Sequence, residues 1–98
     1  MPRGSRSKFE RIVSILHLLN EFGEMTKTQI TSMAQILYKQ RNAIVESLVV
    51  NGYIETVGPE TRTFGHKVTR YVITSKGRRL LSMMNKIYDA LELERVWE

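Results

Sequence analysis

The residues best suited to chemistry lie in a short basic stretch from Tyr38 to Ala43, YKQRNA. Lysine and arginine attract phosphate, whereas an asparagine or glutamine amide can pair with adenine in the major groove of DNA. On a helix, Lys39, Asn42 and Ala43 share one side with Glu46. The pattern indicates a surface that contacts nucleic acid; the alternative is an ordinary core helix with a solvated polar side.

Patterns typical of catalysis are weak in the rest of the chain. His17 lies among apolar residues, His66 lies among turn formers, and the only aspartate is Asp89. No Ser/His/Asp arrangement, paired carboxylates or metal-ligand cluster is evident, and the glycines fall at turns. We therefore expect no enzyme activity and no cofactor.

Length and composition are those of one small domain. The 98 residues are 42% hydrophobic and 26% charged, within the globular range. No apolar run approaches the ~20 residues of a membrane span, and no secretory signal opens the chain. The chain contains no cysteine, which excludes a disulfide framework. This fits a cytoplasmic protein, located either at the nucleoid or in the cytoplasm of a host cell.

Charge is unevenly distributed along the chain. Residues 1–84 contain thirteen Lys and Arg against six Asp and Glu, a net of +7, whereas residues 85–98 contain two against four, a net of −2. A basic body favours a polyanionic partner, from which the acidic end is expected to stay away. A basic protein without such a partner has the same balance, so charge alone leaves both readings open.

The N-terminal region is predicted to be a flexible basic arm followed by a helix. Residues 1–6 are basic and unpatterned. Ser7 and Glu10 have capping-box spacing, and Gly23 marks the end of the helix. The apolar arc of this helix is wider than one face of a small domain needs, so part of it is predicted to contact a second subunit. The residues assigned to that contact are Ile15, Leu18 and Phe22.

Two further helices with a tight turn between them follow. Thr26 and Gln29 repeat the capping-box spacing before a short helix over about 27–33. A brief turn then leads to a helix over about 38–51, which ends at Asn51-Gly52. Leu37, Ile44 and Leu48 are predicted to face inward along it, with Arg41 on the same side. This pair is a candidate helix-turn-helix.

A β-hairpin with a long basic tip is predicted next. Residues 53–57 and 68–73 alternate and are rich in β-forming residues, and residues 58–67 between them contain breakers and turn formers. The tip carries Arg62, His66 and Lys67, and Arg70 follows on the second strand. A mobile, solvated loop is the alternative reading of this tip.

The C-terminal helix is predicted to begin at Thr74-Ser75 and to run to about Arg95. Its apolar stripe is long enough to pair with a second copy, although it could instead fold back on its own domain. We therefore divide the chain into the arm at 1–6, a domain at 7–75 and a dimerisation helix at 76–98 packed on that domain. The stripe residues assigned to the dimer are Leu81, Met84, Tyr88 and Leu91.

The order helix, helix, helix, hairpin, helix resembles the winged helix-turn-helix regulators of bacteria and archaea, particularly small archaeal and archaeal-virus forms and the MarR and PadR groups. The segment Leu48–Ile54, LVVNGYI, is similar to the family's exit from the third helix into the wing. The segment Arg70–Gly77, RYVITSKG, is similar to its entry into the last helix. The resemblance covers about residues 7–91 and implies an α+β, mostly α fold: three helices, a two- to three-stranded wing hairpin and a long C-terminal helix.

The resemblance also implies sequence-specific binding of double-stranded DNA by a homodimeric transcriptional regulator. Its recognition helix, about 38–51, is expected in the major groove, with the wing, 58–69, on the backbone or in the minor groove. Alternatives are a winged-helix protein-interaction module and a sequence-indifferent chromatin protein; an effector ligand is left open. Base edges are assigned to Lys39, Gln40, Asn42 and Ala43, phosphates to Thr26, Lys27, Thr28, Tyr38 and Arg41, and wing contacts to Arg62, His66 and Lys67, with Arg70 behind them.

Overall fold

The computed structural model describes residues 7–61 and 67–92. Within them the fold is α+β and mostly helical, as predicted, with four helices and a three-stranded sheet. In chain order the elements are α1 (Lys8–Phe22), β1 (Met25–Thr26), α2 (Lys27–Met33), α3 (Tyr38–Val50), β2 (Ile54–Thr61), β3 (Lys67–Ile73) and α4 (Ser75–Ala90).

Side-chain caps determine where α1, α2 and α4 begin. The Ser7 hydroxyl accepts a hydrogen bond from the Glu10 N–H at 3.1 Å, and the Glu10 carboxylate accepts from the Ser7 N–H at 3.3 Å. Thr26 and Gln29 form the same reciprocal pair at the start of α2. Each box satisfies two backbone donors that the first turn of a helix leaves without partners. Both predicted capping boxes are confirmed, as is Thr74 as the cap of α4.

Two helix ends follow from left-handed backbone conformations. Gly23 ends α1 with φ of +80°, a conformation that glycine adopts without steric cost. After α4, Glu92 has φ of +55°, which breaks the helical geometry just beyond Leu91. The prediction that α4 runs to about Arg95 was therefore wrong, because the helix ends at Ala90.

The sheet is antiparallel with β3 in the middle, in the order β1-β3-β2. The two-residue strand β1, where Met25 pairs with Tyr71, was not predicted as a strand. Strand β2 continues through Gly58 to Thr61, with a register shift between Val57 and Glu60, whereas a turn was predicted to begin at residue 58. Because the bulge absorbs these residues, pairing extends further toward the wing tip than the turn-forming sequence indicated.

The core is built around α1, which packs against α2, α4 and β3. Val13, Ile15 and Leu16 are fully buried, and Leu19 is almost so. From α3 the core receives Ile44 and Leu48, as predicted, but Leu37 is 66% exposed, so its predicted inward position was wrong. Leu37 is the N-cap of α3 and has extended backbone, so the helical spacing that places Ile44 inward does not apply to it.

Four contacts join the end of α3 to the start of α4, a region that we call the α3–α4 junction. Lys76 donates from Nζ to the Asn51 carbonyl at 2.7 Å, and the same ammonium lies 4.8 Å from the ring centroid of Tyr53. The Thr74 hydroxyl donates to the Gly52 carbonyl at 2.7 Å, and the Thr74 N–H donates to the Tyr53 carbonyl at 3.1 Å. These contacts hold the start of α4 against the backbone that follows α3.

Candidate nucleic-acid interface

The exposed side of α3 carries the polar residues that the sequence singled out. Lys39, Asn42, Ala43 and Glu46 are all exposed and form what we call the outer face of α3. The opposite side packs into the core through Val45 and its neighbours. The helix therefore has one side for the domain and one side for a partner.

The start of α2 lies beside this outer face. Lys27, the first residue of α2, donates from Nζ to the Asn42 side-chain oxygen at 3.0 Å. Thr28 is exposed on the next position, whereas the Thr26 hydroxyl is used to cap α2. Lys27 and Thr28 can therefore approach a ligand bound to the outer face of α3, and Thr26 acts mainly by holding the helix start.

Gln40 does not lie with the other predicted base-contacting residues. It is half-buried, and its side-chain oxygen is buried without a hydrogen-bond partner among the residues that the structure describes. In this conformation the amide oxygen faces the interior, so Gln40 does not present both hydrogen-bonding edges of its amide to the outside. The backbone of Tyr38 and Arg41 belongs to the first half of α3, but their side chains lie outside the described part of the structure.

The base of the wing is ordered by strand pairing. Arg70 lies on β3, paired with Thr26 on one side and Val57 on the other, and it is half-buried. Lys67 begins β3, and its side chain lies outside the described part of the structure. Arg62 and His66 lie outside the described residues, so their assignment to the wing contact stays a prediction.

The residues assigned to dimerisation divide into buried and exposed groups. Within the single chain, four of them are buried in its own core: Ile15, Leu81, Met84 and Tyr88. The Tyr88 ring stacks on Phe9 with centroids 5.7 Å apart, and burial, with a smaller contribution from nearby Glu10, raises the pKa of its hydroxyl. Leu18 is partly buried, whereas Phe22 and Leu91 are each 62% exposed. The buried four support the chain's own fold, so a partner would meet the exposed ones.

A second apolar surface lies along α4, beside its buried face. Leu80 is half-buried, while Met83 and Ile87 are 59% and 47% exposed, at the spacing of one helix face. We call these three residues and Leu91 the outer face of α4. The dimer and the division of the chain at residue 75 stay predictions, but the outer face of α4 is the apolar surface that remains available on this helix.

No group of three or more potential metal ligands occurs in residues 7–61 and 67–92. In the same ranges, no helix has the length and apolar character needed to cross a membrane.

Comparison with known sequences decides the family. Residues 5–92, nearly the whole chain, match the winged helix-turn-helix family. The chain belongs to this family. Membership supports a DNA-binding regulator, because the fold presents the second helix of its helix-turn-helix to the major groove.

The chain is also similar to individual proteins. An uncharacterised protein of the archaeon Methanocaldococcus jannaschii is 27% identical over 89 residues, which cover 91% of this chain and 80% of that protein. Among solved structures, a MarR family transcriptional regulator from Silicibacter pomeroyi is similar in fold, with a TM-score of 0.64 and 21% identity. The match covers 83% of this winged helix-turn-helix chain and 52% of the regulator, so the chain spans about half the length of that protein.

Sequence reasoning missed two features of this winged helix-turn-helix chain. The bond between Lys27 and Asn42 joins residues fifteen positions apart, and no periodicity signals such a contact. Met83 was not assigned to a surface, although its spacing from Leu80 and Ile87 places all three on one side of α4.

Proposed function

We propose that this chain binds double-stranded DNA sequence-specifically as a homodimeric transcriptional regulator. The observation that carries the proposal is the outer face of α3, where Lys39 and Asn42 are exposed on the second helix of a helix-turn-helix and Lys27 lies beside them. A helix about 10–12 Å in diameter fits the major groove, and lysine ammonium groups at its start neutralise phosphates.

The residues divide by role in this proposal. Asn42 and Ala43 lie in the middle of the outer face and approach base edges. Lys39, at the start of α3, and Lys27, at the start of α2, reach the DNA on either side of those bases. Thr28, Tyr38 and Arg41 contact phosphates, and the wing residues lie on the backbone or in the adjacent minor groove. A protein that acts on DNA in this way works inside the cell, in the cytoplasm.

Dimerisation through α4 would place two copies of α3 on one duplex. The outer face of α4 supports this, because Met83, Ile87 and Leu91 are apolar side chains left in solvent by the single chain. A twofold dimer reads two half-sites about one helical turn apart, or a multiple of that distance.

A protein-interaction module is the second candidate. The observation that favours it is the exposure of Met33 (51%) and Leu37 (66%) on either side of the turn between α2 and α3. A sequence-indifferent chromatin protein is distinguished from a regulator by competition between a selected duplex and random duplex DNA.

The direct test is duplex binding across a salt series, measured by gel shift or fluorescence anisotropy. We expect Lys39→Ala to weaken binding severalfold and to reduce the slope of log K against log salt by about 0.9, the contribution of one phosphate contact. The double variant Lys39→Ala/Arg41→Ala is expected to lose more affinity for the duplex than Lys39→Ala alone. Both variants should remain folded.

The matched control is Lys86→Ala, which removes the same charge from an exposed position on α4. It should leave both the affinity and the salt slope close to those of the unaltered chain. Equal affinities for Lys39→Ala and the unaltered chain, or equal losses for Lys39→Ala and Lys86→Ala, would contradict the assignment of α3 to DNA.

A further inference from the structure

The bond between Lys27 and Asn42 bears on which base the outer face of α3 selects. Lys27 is half-buried at the first position of α2, and Asn42 is exposed near the middle of α3. Their Nζ-to-Oδ1 distance is 3.0 Å. A link between the two helices therefore runs directly through the side chain predicted to meet a base.

This bond fixes the orientation of the Asn42 amide. The oxygen and nitrogen of an asparagine amide have nearly the same shape, so their assignment rests on the neighbouring groups. A lysine ammonium has three donors and no acceptor, so it can face only the oxygen. The Asn42 NH₂ group is then held on the other edge of the amide, and a 180° rotation would set donors against donors.

The fixed amide differs from the asparagine that usually reads adenine. That pairing requires the amide oxygen to accept from adenine N6 while the amide nitrogen donates to N7. Here a charge-assisted bond from Lys27 takes one of the two lone pairs of the oxygen, and the ammonium keeps further N–H donors beside it, which oppose the N6 donor of adenine. Guanine presents two acceptors in the major groove, N7 and O6, and thus complements the ammonium donors together with the Asn42 NH₂ group.

We propose that Lys27 and Asn42 act as one reading pair, which presents the Lys27 ammonium and the Asn42 NH₂ group as donors and selects guanine over adenine at the base beneath them. The proposal rests on the proposed function and names what that surface recognises. Lys27 acts as a positioning residue for Asn42 in addition to its charge. The expectation that Asn42 reads adenine, drawn from residue type alone, is replaced by this one.

The test is selection of bound duplexes from a random pool by the unaltered chain, Lys27→Met and Lys86→Met. Methionine keeps much of the length of lysine and removes the charge, so the two variants lose the same charge, Lys86 from an exposed position on α4 outside the proposed interface. We expect the unaltered chain and Lys86→Met to prefer guanine over adenine at one position in each half-site by roughly 5- to 150-fold, as for one good bidentate contact. In Lys27→Met the freed oxygen should shift this position to adenine, and Asn42→Ala should lose the preference there.

A second measurement does not depend on DNA. In ¹H–¹⁵N spectra of the free protein, Lys27→Met should shift the side-chain amide resonances of Asn42, whereas Lys86→Met should leave them in place. Thermal unfolding of each variant establishes that the fold is intact. Unmoved Asn42 resonances in a folded Lys27→Met would overturn the pairing.

The outcomes separate this inference from the proposed function. Duplex binding without base preference, or the same preferred base in Lys27→Met and the unaltered chain, overturns the reading pair but leaves DNA binding standing. Failure of the unaltered chain to bind any duplex overturns both.

Discussion

Gly77 lies where the first turn of α4 meets the backbone that follows α3. Its N–H donates to the Thr74 hydroxyl at 3.0 Å, and the Thr74 N–H donates to the Tyr53 carbonyl at 3.1 Å. A Cβ atom at this position would overlap the Tyr53 carbonyl oxygen and would lie 2.8 Å from Cγ1 of Ile73. Both are parts of the packed junction, so neither can move without cost.

We predict that Gly77→Ala destabilises the protein by about 1–3 kcal/mol, the usual cost of forcing an extra methyl group into a packed site. Chemical denaturation followed by circular dichroism measures this free energy of unfolding. Ser82→Ala, at an exposed position of the same helix, is the control and should change it by less than about 0.5 kcal/mol. Similar values for the two variants would show that the junction tolerates a side chain at residue 77.

Single-residue orientations were only partly predictable from the sequence. Helical spacing correctly placed Ile44 and Leu48 inside and Lys39 and Asn42 outside. It failed at Leu37, which precedes the helix, and it gave no warning that the oxygen of Gln40 lies in the interior. A helical wheel gives relative angles, whereas the rotation of the whole helix and the path of a long side chain depend on packing.

At the scale of elements, α2 illustrates how much depends on one hydroxyl group. This helix has only seven residues, too few to be stable alone, and its start is held by the Thr26 capping box. The same start carries Lys27 toward the outer face of α3. A weakened cap therefore affects both the stability and the candidate interface.

We predict that Thr26→Ala lowers the free energy of unfolding by about 0.5–2 kcal/mol, the range for loss of an N-cap. Its control is Thr28→Ala, two residues further on and exposed, which should have little effect on denaturant unfolding. If the two variants unfold at the same denaturant concentration, the cap contributes no measurable stability.

Elements with local signals were predictable, and those that depend on distant contacts were not. The capping boxes at Ser7 and Thr26 and the stop at Gly23 each involve residues within a few positions of one another. Strand β1 has two residues and exists only because β3 pairs with it. The end of α4 depends on the left-handed backbone of Glu92. Glutamate, unlike glycine, does not indicate a left-handed conformation in a sequence.

At the scale of the whole molecule, the outer face of α4 is the apolar surface most suited to a second copy. The buried side of the same helix is already used, with Leu81, Met84 and Tyr88 at 5–6% exposure. The predicted stripe therefore stabilises the single chain, and the adjacent face is the one that we propose for the dimer.

We predict that Met83→Glu and Ile87→Glu convert a dimer to a monomer, because each would bury a charge at an apolar interface. Analytical ultracentrifugation over a concentration series measures the change. Met33→Glu, at a similarly exposed methionine on α2, should leave the dimer intact. An unaltered chain that sediments as a monomer at every concentration, or variants that remain dimeric, would contradict the assignment of this face.

The α3–α4 junction has a consequence for the proposed dimer. Lys76 and Thr74 bind the backbone at the end of α3, so the movement of that helix is coupled to that of α4. In a dimer joined through α4, we therefore expect the two copies of α3 to keep a nearly constant separation. Each base pair inserted between half-sites adds about 3.4 Å and turns one half-site by about 35° relative to the other. We therefore expect the proposed dimer to tolerate base changes within a half-site better than a change in the distance between half-sites.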